Sequence, residues 1–150
     1  MSESEKIGEI VNKLEEMKKE LDELKEKIKN LRYESDIEKL FTEIEKIVGD
    51  NRIKSIVYLN SNTVKYISRY QNPNAYRNVL IIGRKLYNWN DYRIEDGIMR
   101  IRYANEFEIS DEVVNLLQKV PESDAEHLEP YYFNFYHLIK NGTPLNLVKE

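Results

Sequence analysis

The sequence is poor in the side chains that usually perform catalysis. It has 150 residues, no cysteine and only two histidines, His127 and His137, which lie among acidic residues at a spacing that matches no metal-ligand pattern. No phosphate-binding glycine motif and no nucleophile-elbow motif occurs. The carboxylates of Asp111 and Glu112 are typical of the first turn of a helix. We therefore predict a protein that is not an enzyme, with no catalytic residue, metal site, cofactor or small-molecule substrate.

Charge is distributed unevenly along the chain. The net charge is −4, but residues 51–105 carry ten Lys/Arg against three Asp/Glu, whereas residues 1–50 and 106–150 have balances of −5 and −6. Seven of the eight arginines lie in this middle segment, together with many tyrosines. Arginine suits phosphate groups and aromatic rings stack on unpaired bases, so the segment predicts a nucleic-acid-binding surface. The candidate residues are Lys54, Lys65, Arg69, Arg77, Arg84, Lys85, Arg93, Arg100, Arg102, Tyr70, Tyr87, Trp89 and Tyr92.

A second interpretation of the middle segment stays open at this point. The tyrosines could fill a small core, while the cations pair with the acidic ends of the same molecule. Only the position of these side chains in the fold distinguishes the two interpretations.

A heptad repeat occupies the beginning of the sequence. Its apolar residues are spaced alternately by three and four, which is typical of a coiled coil. With a and d positions alternating, they are Ile7, Ile10, Leu14, Met17, Leu21, Leu24, Ile28 and Leu31. We call these eight residues the heptad stripe.

The e and g positions beside the heptad stripe are mostly basic. A parallel self-dimer would set Lys13 against Lys18 and Lys27 against Arg32, so the charges disfavour it. The pattern predicts a partner with acidic flanks, either elsewhere in this chain or in another protein. The candidate partner-binding residues are Leu14, Met17, Leu21, Leu24, Lys18 and Lys25.

The remaining patterns predict an α+β fold that is mainly helical. Helices are expected over 4–32, over 36–48 after a Ser35 capping box, over 62–71, after Ser110, and over 131–140 after Pro130. Residues 53–59 fit either a helix or a strand. Asp96-Gly97 predicts a hairpin between 92–94 and 98–103, with Arg100 and Arg102 on one face.

Together these elements predict a helical bundle made of 1–50 and 106–150. Residues 51–105 form a basic, aromatic-rich insertion with a small antiparallel β-sheet. The last helix is apolar on nearly every side, so we expect it to close over the first two.

Three stretches of the sequence have the layout of a known family. They are the opening helix KIGEIVNKLEEMKKELDELKEKIKNL, the basic segment from RIKSIVYL to GIMRIRYANEF, and the closing SDEVVNLLQKV and PYYFNFYHLIKNG. In length and order the chain resembles the small subunit of archaeal type I-A CRISPR effector (Cascade) complexes. The resemblance implies a non-catalytic subunit that contacts other effector-complex proteins and guide RNA or target DNA, and stabilises the R-loop. It implies no residue-level site.

Two expectations about function therefore stand. The first is the nucleic-acid-contacting subunit, and the alternative is a structural adaptor that docks another protein through the N-terminal heptad helix. The longest apolar run, Val79–Ile82, is too short to cross a membrane, and no secretory signal is expected. The absence of cysteine favours a cytoplasmic protein. No membrane partner is expected, because no apolar run is long enough to cross a bilayer.

Overall fold

The computed structural model describes residues 2–69 and 73–150. The chain divides into two compact units, Met1–Ser35 and Asp36–Glu150. The boundaries expected at 50 and 105 both fall inside the second unit, which we call the α/β unit.

A single helix, α1, runs over Glu3–Val48, so the prediction of two separate helices is wrong. Ser35 and Glu38 lie inside it instead of capping a new start. The physical reason is that no glycine or proline occurs between Gly8 and Gly49, and serine and glutamate are tolerated in a helix interior. Gly49 ends the helix with φ +75°, a left-handed conformation that glycine adopts easily.

In the first unit the heptad stripe is exposed. Its eight side chains are 51 to 64% exposed. Acidic residues precede basic ones by four positions at Glu9/Lys13, Glu15/Lys19 and Glu23/Lys27. This spacing stabilises a helix without any packing partner.

The α/β unit is built around a six-stranded mixed sheet. The strands are β1 (Ile53–Asn60), β2 (Thr63–Ser68), β3 (Arg77–Ile82), β4 (Lys85–Glu95), β5 (Ile98–Glu108) and β6 (Leu145–Lys149). Their order is β2-β1-β3-β4-β5-β6. β1 pairs with β3, and β5 with β6, in the parallel sense; the other neighbours are antiparallel.

The size of this sheet makes the prediction of a mainly helical bundle with a small inserted antiparallel sheet wrong. Residues 53–59 belong to a strand, and the helix expected over 62–71 is instead β2 as far as Ser68. Val64 and Ile67 fit a helical stripe, but a tight turn at Ser61, with φ +51°, folds β2 back onto β1. Thr63, Val64 and Ile67 are β-branched and suit that pairing.

Helices cover both faces of the sheet. Leu40, Phe41 and Ile44 of α1 pack on one face together with helix α2 (Asp111–Lys119). Helix α3 (Pro130–Lys140) packs on the other face, through Phe135 and its neighbours. The expectation that this last helix closes over the N-terminal helices is therefore wrong. Sheet residues supply the apolar surface that it needs.

Several local predictions are confirmed. Asp96 and Gly97 form the β4–β5 turn with φ +54° and +75°. Ser110 caps α2 by accepting a hydrogen bond from the Val113 amide at 3.3 Å, and Pro130 begins α3. Among the described residues, no helix combines the length and the apolar content that a membrane crossing requires.

Candidate interaction surfaces

The outward face of the β4–β5 hairpin carries three of the predicted arginines. On β5, Met99 and Ile101 are fully buried while Arg100 and Arg102 point outward, so the predicted alternation is confirmed. Arg93 of β4 lies directly opposite Arg100. The exposed fractions of these three side chains lie between 48 and 71%.

Carboxylates of the same chain contact each of these arginines. Glu95 lies 3.9 Å from Arg93 and 3.1 Å from Arg100. Arg102 lies between Asp91 at 3.2 Å and Glu150 at 3.0 Å. The pKa of the Glu150 carboxyl is lowered mainly by a hydrogen bond from Asn90 and next by one from Arg102, so this group stays charged. The face presents mixed charge and not a basic surface.

Arg69 and Arg77 are less exposed than the hairpin arginines, and each has a carboxylate partner in this chain. The Arg69 side chain is 9% exposed, and it donates to the Glu45 carboxylate and to the Ile53 carbonyl at 3.1 Å. Arg77 donates to Asp50 at 2.9 Å. Glu45 is in the last turn of α1 and Asp50 lies just after its end, so both contacts join this region to the sheet within the α/β unit.

Lys65 has a structural position too. Its ammonium donates to the carbonyls of Leu117 at 2.8 Å and Val120 at 2.9 Å, so it satisfies the C-terminal end of α2. Burial lowers the pKa of this ammonium group.

Three predicted cations remain. Arg84 pairs with Asp111, and Lys85 lies 3.7 Å from Glu106. Lys54 is half-buried on β1. Eight of the nine predicted cations therefore contact a carboxylate or a carbonyl of this chain. This arrangement is the one expected if the charges of the middle segment are neutralised within the molecule.

The predicted base-stacking aromatics lie mostly in the core. Trp89 is 5% exposed and stacks on Phe135 with ring centres 4.1 Å apart, and Tyr87 is 8% exposed. Tyr92 is half-buried, and its hydroxyl donates to the Tyr131 carbonyl at 3.1 Å. Tyr70 lies outside the described residues.

A polar cluster that the sequence analysis missed joins α3 to the segment before it. The Tyr136 hydroxyl donates to Glu122, and Lys140 donates to that hydroxyl at 2.9 Å. Burial raises the pKa of Tyr136, and the Glu122 carboxylate raises it further, so the phenol stays protonated. The Tyr136/Lys140 spacing of four was a visible signal in the sequence.

The residues of this cluster and their neighbours also hold the backbone of β2 in place. Glu122 also accepts a hydrogen bond from the Tyr66 amide at 3.3 Å, and Ser123 accepts one from the Ser68 amide at 3.1 Å. The segment thus covers the outer edge of β2. Among the described residues, no group of three or more acidic, histidine or cysteine side chains could hold a metal ion.

Among the described residues, the heptad stripe holds eight of the fifteen exposed large hydrophobic side chains. Beyond Leu31 the same register places Ser35, Glu38, Thr42 and Glu45 at the a and d positions, so the stripe ends there. The α1 residues that the α/β unit buries, Leu40, Phe41 and Ile44, belong to positions f, g and c. The heptad stripe is therefore a separate surface and not a continuation of the core.

The stripe contains all four apolar residues that were predicted to bind a partner. Leu14, Met17, Leu21 and Leu24 are between 51 and 63% exposed. Lys18 and Lys25, the two predicted basic residues beside them, are exposed on the same helix. No family model, curated protein or solved structure matches this chain.

Proposed function

We propose that this protein is a structural adaptor whose N-terminal helix binds an α-helix of another protein. The observation that carries the proposal is the heptad stripe, an unbroken a/d pattern over nearly four heptads whose eight side chains are 51 to 64% exposed. Burying a Leu or Ile side chain contributes about 1.5–3 kcal/mol, and a second helix with the same spacing buries all eight.

The buried core of the α/β unit is made of its own residues and includes none of the stripe. Its core residues Leu40, Ile56, Leu80 and Phe135 are all fully buried already. Because the stripe residues are exposed and lie outside this core, we propose that they bind a separate protein. The adaptor is proposed to act in the cytoplasm.

The test uses the full chain and synthetic four-heptad peptides with Leu and Ile at a and d. We expect a peptide with glutamine flanks to bind, and Leu14→Glu with Leu24→Glu to abolish binding. The matched control places glutamate at two outer positions with the same charge change, as Asn12→Glu at f with Asn30→Glu at c, and should bind like the unmodified chain. Thermal unfolding of the α/β unit should not change in either variant.

Two results would overturn the proposal. One is that neither glutamine-flanked nor glutamate-flanked peptides bind at about 10 µM, an affinity that such a surface should exceed. The other is concentration-dependent self-association, measured by sedimentation, that the Leu14→Glu, Leu24→Glu variant abolishes. In that case the stripe is occupied by a second copy.

The second candidate function is a contact with guide RNA or target DNA, as expected of a CRISPR effector small subunit among other effector proteins. The observation in its favour is the cross-strand placement of Arg93 opposite Arg100 on the exposed face of the sheet. Two arginines placed opposite each other can share one phosphate, which would have to displace the Glu95 carboxylate that now lies beside both.

Fluorescence anisotropy with labelled single-stranded DNA, duplex DNA and RNA tests this second function. The expected result is binding that weakens as salt rises, with a smaller salt dependence after Arg100→Ala and Arg102→Ala. Absence of binding at low salt, or identical salt dependence in the double variant, contradicts a nucleic-acid surface at this position.

A further inference from the structure

We infer that the partner helix carries acidic residues on both sides of its own apolar stripe; this inference rests on the proposed adaptor function. The residues that favour such a partner lie at the e and g positions beside the heptad stripe. We call these e and g residues the basic flanks. The e positions are Val11, Lys18, Lys25 and Arg32, and the g positions are Lys6, Lys13, Glu20 and Lys27. Six of these eight are cations and one is an acid.

A second copy of the chain does not fit the basic flanks in either direction. In a parallel pair, g faces e, which places Lys13 against Lys18 and Lys27 against Arg32. In an antiparallel pair, e faces e, and Lys18, Lys25 and Arg32 would face one another. In the parallel pair Glu20 would face Lys25, but two repulsive pairs outnumber this attractive one, so the charges disfavour a second copy as the occupant.

An anionic membrane surface fits less well than a helix. The apolar stripe is only two positions wide in each heptad, which is the width of a coiled-coil seam. An interfacial helix has a broad apolar face, often with aromatic anchors, and residues 7–31 contain no aromatic side chain. The outer b, c and f positions carry the acids Glu9, Glu15, Glu16, Asp22, Glu23 and Glu26, which an anionic surface repels.

A glutamate-flanked helix satisfies both parts of the surface at once. Its apolar residues cover the stripe, and its carboxylates lie beside the lysine ammonium groups, whose methylene stems extend over the seam. Each exposed ion pair contributes little alone, so selectivity comes from the sum of several pairs and from the repulsion of basic helices. Glu20 is the single residue that works against this selectivity.

The experiment measures the affinity of the full chain for three synthetic four-heptad peptides. All have the same a and d residues, and their e and g positions are all glutamate, all glutamine or all lysine. We expect the glutamate peptide to bind about tenfold more tightly than the glutamine peptide, and the lysine peptide not to bind. The preference should shrink as salt rises, since exposed charges are screened.

Neighbouring residues of the helix supply matched variants with the same charge change. Lys18→Glu at e should weaken binding of the glutamate peptide by about threefold, whereas Lys19→Glu at f should leave it unchanged. Conversely, Glu20→Lys at g should strengthen binding, and Glu16→Lys at c should not.

The possible failures are distinguishable. Equal affinity for the glutamate and glutamine peptides overturns the acidic-partner inference but leaves the adaptor function standing. Binding of none of the peptides overturns both. Binding to vesicles of phosphatidylcholine and phosphatidylserine that Leu14→Glu abolishes would identify a membrane as the occupant and overturn the inference.

Discussion

The guanidinium carbon of Arg69 lies 4.9 Å from the ring centre of Phe41, a residue with no exposed surface. A charged side chain is thus held against the core of the α/β unit, with the Glu45 carboxylate and the Ile53 carbonyl as its polar partners. Removing one member of such a pair leaves the other charge poorly solvated. The stability of this corner therefore depends on both charges being present.

Replacement of Arg69 tests that dependence. We expect Arg69→Met to lower the free energy of unfolding by about 2–4 kcal/mol, since Glu45 is left without its partner in a partly buried site. Arg84→Met is the control, because Arg84 pairs with Asp111 on the surface and is 59% exposed. The control should change stability by less than about 0.5 kcal/mol. Urea unfolding measures both, and equal losses would contradict the difference in burial.

Asp50 predicts a loss of stability in acid. Hydrogen bonds from the Arg52 side chain, aided by Arg77, hold the pKa of the Asp50 carboxyl well below its ordinary value. A group with a lowered pKa in the folded state stabilises the protein above its unfolded pKa of about 4, and this contribution is lost as the pH falls below it. The free energy of unfolding should therefore decrease between neutral pH and pH about 3. Asp50→Asn should reduce that decrease, and parallel pH curves for the two proteins would contradict the assignment.

Two glycines predict opposite effects of the same substitution. Gly97 has φ +75° in the β4–β5 turn, so Gly97→Ala is expected to destabilise the protein by about 1 kcal/mol. Gly8 lies in α1 with open space where a Cβ would be, so Gly8→Ala should raise helix content and stability of that segment, by up to about 1 kcal/mol. Circular dichroism during thermal unfolding distinguishes the two. A destabilising Gly8→Ala would mean that this position needs more than helix propensity.

Lys65 predicts a coupling between β2 and α2. Lys65→Met keeps the apolar stem but leaves the carbonyls of Leu117 and Val120 without their donor, so we expect a loss of about 1–3 kcal/mol. Lys54→Met on β1 is the matched control, with a smaller expected loss. Hydrogen exchange at the end of α2 should increase in the first variant only. An unchanged exchange rate there would show that water replaces the ammonium group without cost.

The features that the sequence predicted correctly are governed by local chemistry. The Asp96-Gly97 turn, the Ser110 cap and the outward position of Arg100 and Arg102 each depend on a few adjacent residues. The heptad helix is of the same kind, because its pattern repeats over many residues. Only the predicted end of this helix near residue 32 is wrong. Ser35 and Glu38 can begin a helix, but here they lie inside one that continues to Val48.

The errors concern contacts between distant parts of the chain. β2 is a strand because it pairs with β1, and a sequence stripe that fits both a helix and a strand cannot show that pairing. The same holds for the candidate surface. The partner of Arg69 is Glu45, 24 positions earlier, and the partners of Lys65 lie 52 and 55 positions later. The charge partition was visible in the sequence, but its neutralisation depends on tertiary structure.

The parallel pairing of β5 with β6 has a consequence for the newly made chain. Residues Leu145–Lys149 leave the ribosome more than thirty residues after the end of β5 at Glu108. Until then, the free edge of β5 exposes unpaired amide and carbonyl groups along Met99–Tyr103. During synthesis this edge is therefore open to pairing with other strands, and it closes only when β6 becomes available.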